Sequence, residues 1–283
     1  MKQKETREDL DIPVFEKITG FIKLIRPINL FIIILSFIVG YVFTKGEISI
    51  VLPIIYILIA SLGYIINDIK DYEIDLVNEP ERPIPSNTVK KKEAKIFFVI
   101  LLIFFVILNF LVKTKLLIFN DLVLILVIFY SIYFKRKGFI GNLIVAFFTI
   151  SPFVAIYILT DDLKNLVAIM FFAFCINLLR EIVKDLKDFR GDKLVKSKSL
   201  PIKYGFEYTY NILLILSFLF LAGTIYFSKS FYGGIYYIIF ILIIANGINF
   251  LSLFFTKKKE YSISSILYKI NILLGIGGLW LSM

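Results

Sequence analysis

Two segments of the sequence carry three aspartates each, with the same spacing. In both segments the aspartates stand at relative positions 0, 3 and 7. The six residues are Asp68, Asp71, Asp75, Asp185, Asp188 and Asp192. On a helix these offsets share one face, so each segment would direct three carboxylates the same way. Proteins hold magnesium with a few carboxylates together with waters and phosphate oxygens. The paired segments therefore predict a magnesium site that can hold a diphosphate.

Both segments lie at the ends of apolar stretches, where a divalent cation would relieve two electrostatic costs. Carboxylates on one helical face repel one another, and a helix C-terminus disfavours anions. Basic side chains stand close enough in sequence to bind the remaining phosphate charge, and arginine is favoured where two oxygens are bound together. These residues are Arg82, Arg180, Lys184 and Lys187. Ordinary charged loops would explain one such segment but explain two matched copies poorly.

The residue types that are missing narrow the chemistry further. The sequence contains no histidine and only one cysteine, Cys175, which lies within an apolar stretch. Zinc and iron sites built on histidine, and Ser–His or Cys–His catalytic pairs, are therefore excluded, as is an intrachain disulfide.

The elements that position the aspartates are predicted to be membrane-spanning helices. The chain is 59% hydrophobic, whereas typical soluble domains are roughly 45–50% apolar. Its mean hydropathy is +0.85. A span needs about 20 mostly apolar residues. The sequence predicts nine spans, at 27–44, 49–66, 96–112, 116–134, 139–159, 165–183, 207–228, 234–255 and 266–282. The aspartate segments follow the second and sixth of them.

The distribution of basic residues orients these spans. With the N-terminus inside the cell, 27 of the 32 Lys and Arg residues fall on the cytosolic side, which is the bias that orients membrane proteins. Four spans separate the two aspartate segments, so both would lie at the cytosolic face, and the C-terminus would lie outside. The net charge of +10 is explained by attraction to anionic membrane lipid, and no nucleic-acid partner is predicted.

These motifs resemble those of the UbiA-type intramembrane prenyltransferases. Asn67 and the first three aspartates are similar to the family's NDxxDxxxD motif, and Arg82-Pro83 follows it as in the family. Lys184, the second three aspartates and Gly191 complete its KDxxDxxGD motif. The resemblance covers nearly the whole chain. It implies that Asp68, Asp71, Asp185 and Asp188 are catalytic, and that all six aspartates bind prenyl diphosphate through magnesium.

Further residues resemble the family less specifically. Arg26 and Asn29, at the start of the first span, are similar to a family segment that faces the cavity. Tyr130 and Lys135, after the fourth span, resemble a segment that contacts the diphosphate. An interfacial arginine and a tyrosine of the aromatic belt are the alternative interpretations. With Asn67, Arg82, Arg180 and Lys184, these residues form the predicted substrate-binding set.

The resemblance implies a fold and a reaction. The expected fold is all-α, with nine transmembrane helices around a central apolar cavity that opens at the cytosolic side. Residues 1–283 would form one domain in the cell membrane, with a cytosolic leader at 1–20 and cap loops at 67–95 and 184–206. The stretch from Asn67 to Ser86 is most similar to the archaeal ether-lipid enzymes of the family. These would transfer a geranylgeranyl group from its diphosphate to geranylgeranylglyceryl phosphate.

Three alternatives remain at this stage. The first is an aromatic prenyltransferase of quinone biosynthesis, which would use the same donor site with an aromatic acceptor. The second is a cation-coupled transporter, although such proteins place ionisable groups near the bilayer midplane, and the predicted spans lack Asp, Glu, Lys and Arg there. The third is a CDP-alcohol phosphotransferase, whose different aspartate pattern does not occur in this sequence.

Overall fold

A computed structural model describes residues 12–45, 47–194, 197–228 and 234–282 of the chain. Within these ranges the regular structure is helical. Residues 1–11 of the predicted leader, and residues 195 and 196 of the second predicted cap loop, lie outside the described residues.

The helices fall into nine long ones and three short ones across these ranges. The short ones are α1 (Val14–Leu24), α4 (Tyr72–Asn78) and α9 (Phe189–Leu194). The long ones are α2 (Pro27–Thr44), α3 (Val51–Lys70), α5 (Lys91–Asn109), α6 (Thr114–Phe134), α7 (Phe139–Thr160), α8 (Val167–Lys187), α10 (Leu200–Phe227), α11 (Ile235–Lys257) and α12 (Tyr261–Leu281). Each long helix overlaps one of the predicted spans.

Seven of the long helices are long and apolar enough to cross a membrane. The two that do not meet this composition are α5, which begins with Lys91, Lys92 and Glu93, and α8, which carries Arg180 and Glu181 near its end. Many large apolar side chains on the outer surface are exposed, as lipid-facing residues would be. The chain is therefore an all-helical, multi-pass membrane protein.

Both aspartate segments differ from the continuous helical face that their spacing predicts. The helix breaks at the middle aspartate of each set, so that α3 ends and α4 begins around Asp71, and α8 ends and α9 begins around Asp188. The two residues adopt nearly the same backbone, with φ −91° and ψ 9° at Asp71 and φ −86° and ψ 6° at Asp188. The predicted cap loops are thus largely helical, since α3, α5, α8 and α10 also extend into them.

Close packing of the long helices places these breaks opposite each other. Helix α7 packs against α8 and α2, α8 packs against α12, and α4 packs against α9. Glycines permit the close approaches: a side-chain carbon at Gly40 would lie 2.3 Å from Ile156, and one at Gly63 would lie 2.7 Å from Val127. The buried core between these helices is mainly aliphatic and aromatic, and it also contains buried amide and hydroxyl side chains such as Asn120, Asn249 and Thr256.

Candidate active site

A cavity of about 320 Å³ opens between α2, α3, α6, α7, α8 and α12. Its two ends differ in chemistry. Charged and amide side chains from the ends of α3 and α8 and from α4 and α9 surround one end, which we call the mouth. The remainder is largely apolar and is lined by residues that include Ile33, Ile59, Val127, Phe148, Phe172 and Ile276. A ligand with an anionic head and a hydrocarbon tail would match this division.

The structure brings nearly all of the predicted site residues to this cavity. Those that line it are Arg26, Asn29, Asn67, Asp71, Asp75, Arg82, Tyr130, Lys135, Arg180, Lys184, Asp188 and Asp192. The exceptions are Asp68 and Asp185, which are the first aspartates of the two motifs. Asp68 is buried and Asp185 is partly exposed, and both bind other residues of the site.

Asp68 is buried and accepts a hydrogen bond from Arg26 at 2.6 Å. Arg26 has a left-handed backbone, with φ 54° and ψ 68°, just before Pro27 begins α2. Non-glycine residues adopt this conformation rarely, and it tends to persist where the surrounding structure enforces it. Here the guanidinium group also lies 4.8 Å from the ring centre of Tyr64. Asp68 therefore fixes the position of a cavity-lining arginine.

Arg82 is the centre of the first cluster because it contacts three carboxylates. It lies 2.8 Å from Asp75, 2.5 Å from Glu79 and 3.4 Å from Asp68. The remaining aspartate of the motif, Asp71, forms an ion pair with Lys135 from the end of α6. Lys135 directly follows the π-helical end of α6, Tyr130–Phe134.

The second cluster has fewer cationic partners. Asp185 accepts a hydrogen bond from the amide of Asn142 at 3.0 Å. Among the described residues, Asp188 and Asp192 make no ion pair. Glu181, one turn before Asp185, accepts hydrogen bonds from Lys184 at 3.0 and 3.3 Å. The second motif thus presents carboxylates to the mouth without neutralising them.

Two residues that the sequence analysis did not identify connect the clusters. The amide of Asn78 donates a hydrogen bond to the carbonyl of Asp188 at 3.2 Å and accepts one from the backbone N–H of Gly191 at 3.1 Å. Glu79 accepts a hydrogen bond from Lys187 at 2.8 Å as well as binding Arg82. The only sequence feature that could have pointed to Glu79 as a site residue is its position four residues after Asp75, a spacing that places both on one helical face.

The pKa values show that the two clusters act on each other. Burial raises the pKa of Asp75 to about 6, and the charges of Asp71 and Asp68 reinforce the effect while Arg82 opposes it. Burial also raises the pKa of Asp192 to about 6, with further contributions from Asp188 and from Asp71 of the other cluster. Although burial acts in the opposite direction, Lys187 and Arg82 lower the pKa of Glu79 to about 2.

These carboxylates suit a divalent cation held jointly with a ligand. Buried, mutually repelling carboxylates are stabilised in their ionised form by a nearby positive charge. Within the described ranges, no three Asp, Glu, His or Cys side chains converge closely enough to form a ligand set of their own. Magnesium is commonly bound through one or two carboxylates, with waters and substrate phosphates completing the octahedron. The site therefore fits magnesium that is bound together with a phosphate-bearing substrate.

Comparison with known proteins identifies the family. The family model of the UbiA prenyltransferase family matches residues 29–273 of this sequence. The chain belongs to the UbiA prenyltransferase family. The resemblance predicted from the paired aspartate motifs is thus confirmed, and this UbiA-family chain is a membrane prenyltransferase. The transporter and CDP-alcohol phosphotransferase alternatives are wrong.

Several relatives of this UbiA-family chain are named digeranylgeranylglyceryl phosphate synthase. The digeranylgeranylglyceryl phosphate synthase of Methanosphaera stadtmanae is 36% identical over 230 residues, which cover 79% of this chain and 83% of that protein. The digeranylgeranylglyceryl phosphate synthase of Methanocaldococcus jannaschii is 34% identical over 236 residues, which cover 81% of this chain and 82% of that protein.

Solved structures of the UbiA family share the fold. One, described as digeranylgeranylglyceryl phosphate synthase in membranes, has a TM-score of 0.67 at 29% identity, and the match covers 94% of this chain and 98% of that one. A UbiA homolog from Archaeoglobus fulgidus bound to GPP and Mg2+ has a TM-score of 0.65 at 17% identity, with 91% and 99% coverage. At that identity the second likeness establishes the fold alone.

Proposed function

We propose that this enzyme transfers a geranylgeranyl group from geranylgeranyl diphosphate to the hydroxyl of geranylgeranylglyceryl phosphate, with magnesium as cofactor. The product would carry the second ether bond of an archaeal membrane lipid. Relatives that are 34–36% identical are digeranylgeranylglyceryl phosphate synthases. A homolog of the same fold binds GPP and Mg2+, which supports a prenyl diphosphate as the donor.

One observation carries this proposal. The two aspartate segments, 117 residues apart in sequence, face each other across the mouth of one cavity whose interior is apolar. A prenyl diphosphate has the matching division, with a strongly anionic head and a hydrocarbon chain. The head would lie at the mouth, and the chain would extend between the helices, where apolar walls exclude water.

The residues divide into two groups by position. Asp71, Asp75, Asp188 and Asp192, on the cavity wall, would hold magnesium and, through it, the diphosphate. Asp68 and Asp185, which do not line the cavity, would act through other residues, Asp68 by holding Arg26 and Arg82, and Asp185 through Asn142.

Lys135 and Lys184 line the mouth and would bind phosphate oxygens, as would Arg82 and Asn67. Lys135 and Arg82 bind carboxylates of the first motif, and these are the carboxylates that magnesium would neutralise. Binding of magnesium would therefore release the two cations towards the diphosphate.

The reaction breaks the bond between C1 of the donor and the diphosphate oxygen, which keeps the electron pair. Magnesium held by the aspartates on the cavity wall would withdraw charge from the diphosphate and make it a better leaving group. Positive charges of Lys135, Lys184 and Arg82 stabilise the negative charge that develops on it. The apolar cavity keeps water from the cationic C1 carbon. The glyceryl hydroxyl of the acceptor attacks C1 and forms the ether bond, and its proton passes to the departing diphosphate, to a carboxylate of the mouth or to water.

The topology predicted from the basic residues completes the proposal. All nine long helices would span the membrane, including α5 and α8, whose charged ends would lie in the interface. The N-terminus and the mouth of the cavity would be cytosolic, and the C-terminus would lie outside. The chain would form one domain in the cell membrane, with α4, α9 and the segments around them as its cap.

A turnover assay on the purified protein in detergent tests the function. It would contain geranylgeranyl diphosphate and magnesium, with either geranylgeranylglyceryl phosphate or 4-hydroxybenzoate as acceptor, and EDTA as the control. We expect magnesium-dependent transfer to the glyceryl phosphate. Transfer only to the aromatic acid would move the enzyme to quinone-precursor prenylation, and absence of transfer to either acceptor would overturn the proposed activity.

A further inference from the structure

Two cationic residues face the cavity from the wall formed by α8 and α12, below the aspartate clusters. Arg180 lies on α8 and Lys269 on α12, and both line the cavity. Arg180 stands seven residues before Lys187, where α8 ends at the mouth, and Lys269 stands eight residues after Tyr261, where α12 begins. Since the two helices pack together, both side chains start about 10–12 Å below the helix ends at about 1.5 Å per residue.

The charges on this wall are not balanced. Lys269 forms no hydrogen bond or ion pair in the part of the chain that the structure describes. The Nε of Arg180 is buried without a partner. A terminal nitrogen of the same guanidinium group lies 3.4 Å from Glu181, a carboxylate that Lys184 already binds at 3.0 Å. Two cations, Arg180 and Lys184, therefore share one carboxylate here, and Lys269 pairs with none among the described residues. Burial of uncompensated charge is costly unless a partner of opposite sign is bound.

This cationic wall differs in chemistry from the site of the donor diphosphate. The donor site is lined by Asp71, Asp75, Asp188 and Asp192, which need a metal ion before an anion can bind. The wall at Arg180 and Lys269 would bind an anion directly. The structure thus offers the second substrate an anion site of its own.

We propose that Arg180 and Lys269 bind the phosphate monoester of the acceptor. The inference rests on the proposed function, and it identifies the feature that selects a phosphate-bearing acceptor. Arg180 precedes Asp188 by eight residues, a separation of about 12 Å along a helix. This distance leaves room for a glyceryl unit between the acceptor phosphate on Arg180 and the donor diphosphate held near Asp188. The acceptor hydroxyl then lies beside C1 of the donor.

The experiment compares two acceptors that differ only in this phosphate. Steady-state kinetics of the full chain in detergent would be measured with geranylgeranylglyceryl phosphate and with geranylgeranylglycerol, and with geranylgeranyl diphosphate varied separately. The variants are Lys269→Gln, Lys269→Arg and, as a matched control, Lys257→Gln, which removes an exposed lysine at the end of α11.

We expect Lys269→Gln to raise the KM for the phosphate acceptor by about tenfold to a hundredfold, the range of a lost charged hydrogen bond. The KM for the dephosphorylated acceptor and for the donor should stay within about twofold of the wild-type values. Lys269→Arg should restore most of the affinity, and Lys257→Gln should leave every constant unchanged.

The failures of the two proposals are distinguishable. Equal increases in KM for both acceptors, or an unchanged KM for the phosphate acceptor, would overturn the phosphate subsite and leave the proposed reaction intact. Wild-type protein that prenylates neither glyceryl acceptor would overturn the proposed reaction and the subsite together.

Discussion

Gly191 and Asn78 hold the two halves of the active site together. The backbone N–H of Gly191 donates to the side-chain oxygen of Asn78 at 3.1 Å, and a side-chain carbon at position 191 would lie 2.5 Å from the Asn78 nitrogen. The glycine of the second motif is therefore required for space, since α9 and α4 approach each other here. A left-handed backbone is not the reason, because Gly191 lies within α9 and is absent from the residues with positive φ.

Substitution Gly191→Ala should displace Asn78 and weaken the connection between the motifs. Because Asn78 also binds the carbonyl of Asp188, we expect the magnesium concentration for half-maximal activity to rise about tenfold, as when residues that orient metal ligands are lost. Titration of activity with magnesium measures this. The control is Gly247→Ala in α11, where a side-chain carbon meets nothing within 4 Å and the protein should be stabilised by about 0.5–1 kcal/mol. Equal magnesium dependence in both variants would contradict the proposed connection.

Substitution Asp188→Asn should remove a carboxylate from the cavity wall without disturbing the fold. We expect the rate of transfer to fall about a hundredfold or more, because one charge that stabilises the transition state through the metal is lost. The same assay in EDTA should show no transfer by the wild-type enzyme, and added magnesium should restore it. The control is Asp162→Asn, since the carboxylate of this residue accepts hydrogen bonds from Asn165 beyond the far end of α7, away from the aspartate clusters. Full activity of Asp188→Asn would exclude a metal site at this residue.

Substitution Arg82→Lys should show whether Arg82 acts by its shape or by its charge. A lysine keeps the charge but presents a single ammonium group, whereas the guanidinium binds Glu79 through Nε and both Asp68 and Asp75 through one terminal nitrogen. We expect activity to fall about ten- to a hundredfold, with the helical content by circular dichroism unchanged. Wild-type activity in this variant would mean that charge alone is needed at position 82.

Tyr56 should limit the length of the prenyl chain that the cavity accepts. It lines the cavity, and its hydroxyl donates a hydrogen bond to the carbonyl of Ser151 at 2.9 Å. Tyr56 lies fourteen residues before Lys70, the last residue of α3. The two residues are therefore about 21 Å apart along the helix axis. Substitution Tyr56→Ala should extend the cavity and increase transfer from donors one isoprene unit longer than geranylgeranyl diphosphate.

The conservative variant Tyr56→Phe separates the size of the ring from its hydrogen bond. It should keep the donor preference of the wild type and lose about 1 kcal/mol of stability. The measurement is the ratio of products from an equal mixture of the two donors. An unchanged ratio in Tyr56→Ala would mean that the chain ends elsewhere in the cavity.

The proposed orientation can be tested with single cysteines, because the chain has only Cys175. In a Cys175→Ser background, Lys258→Cys, between α11 and α12, should react with a membrane-impermeant maleimide only after the cells are opened. Asp162→Cys, between α7 and α8, should react in intact cells. The reverse pattern would place the mouth of the cavity outside.

The amino-acid sequence by itself determines the membrane architecture and the family. Long apolar stretches have few stable alternatives to helices in lipid, because every backbone polar group must be satisfied internally. Each predicted span accordingly overlaps a long helix. The repeated spacing of the aspartates and the residues around them identify the family, since these patterns are local in sequence.

Only the tertiary structure decides which of these residues face the cavity. Asp68 and Asp71 belong to one motif, yet Asp71 lines the cavity, whereas Asp68 is buried against Arg26 and Arg82, which other parts of the chain supply. The roles of Asn78 and Lys269 are likewise absent from the sequence pattern. The backbone groups that Asn78 binds, and the Arg180 side chain that shares a cavity wall with Lys269, come from helices far away in the chain. Only the packing of α4 on α9 and of α8 on α12 brings these residues together.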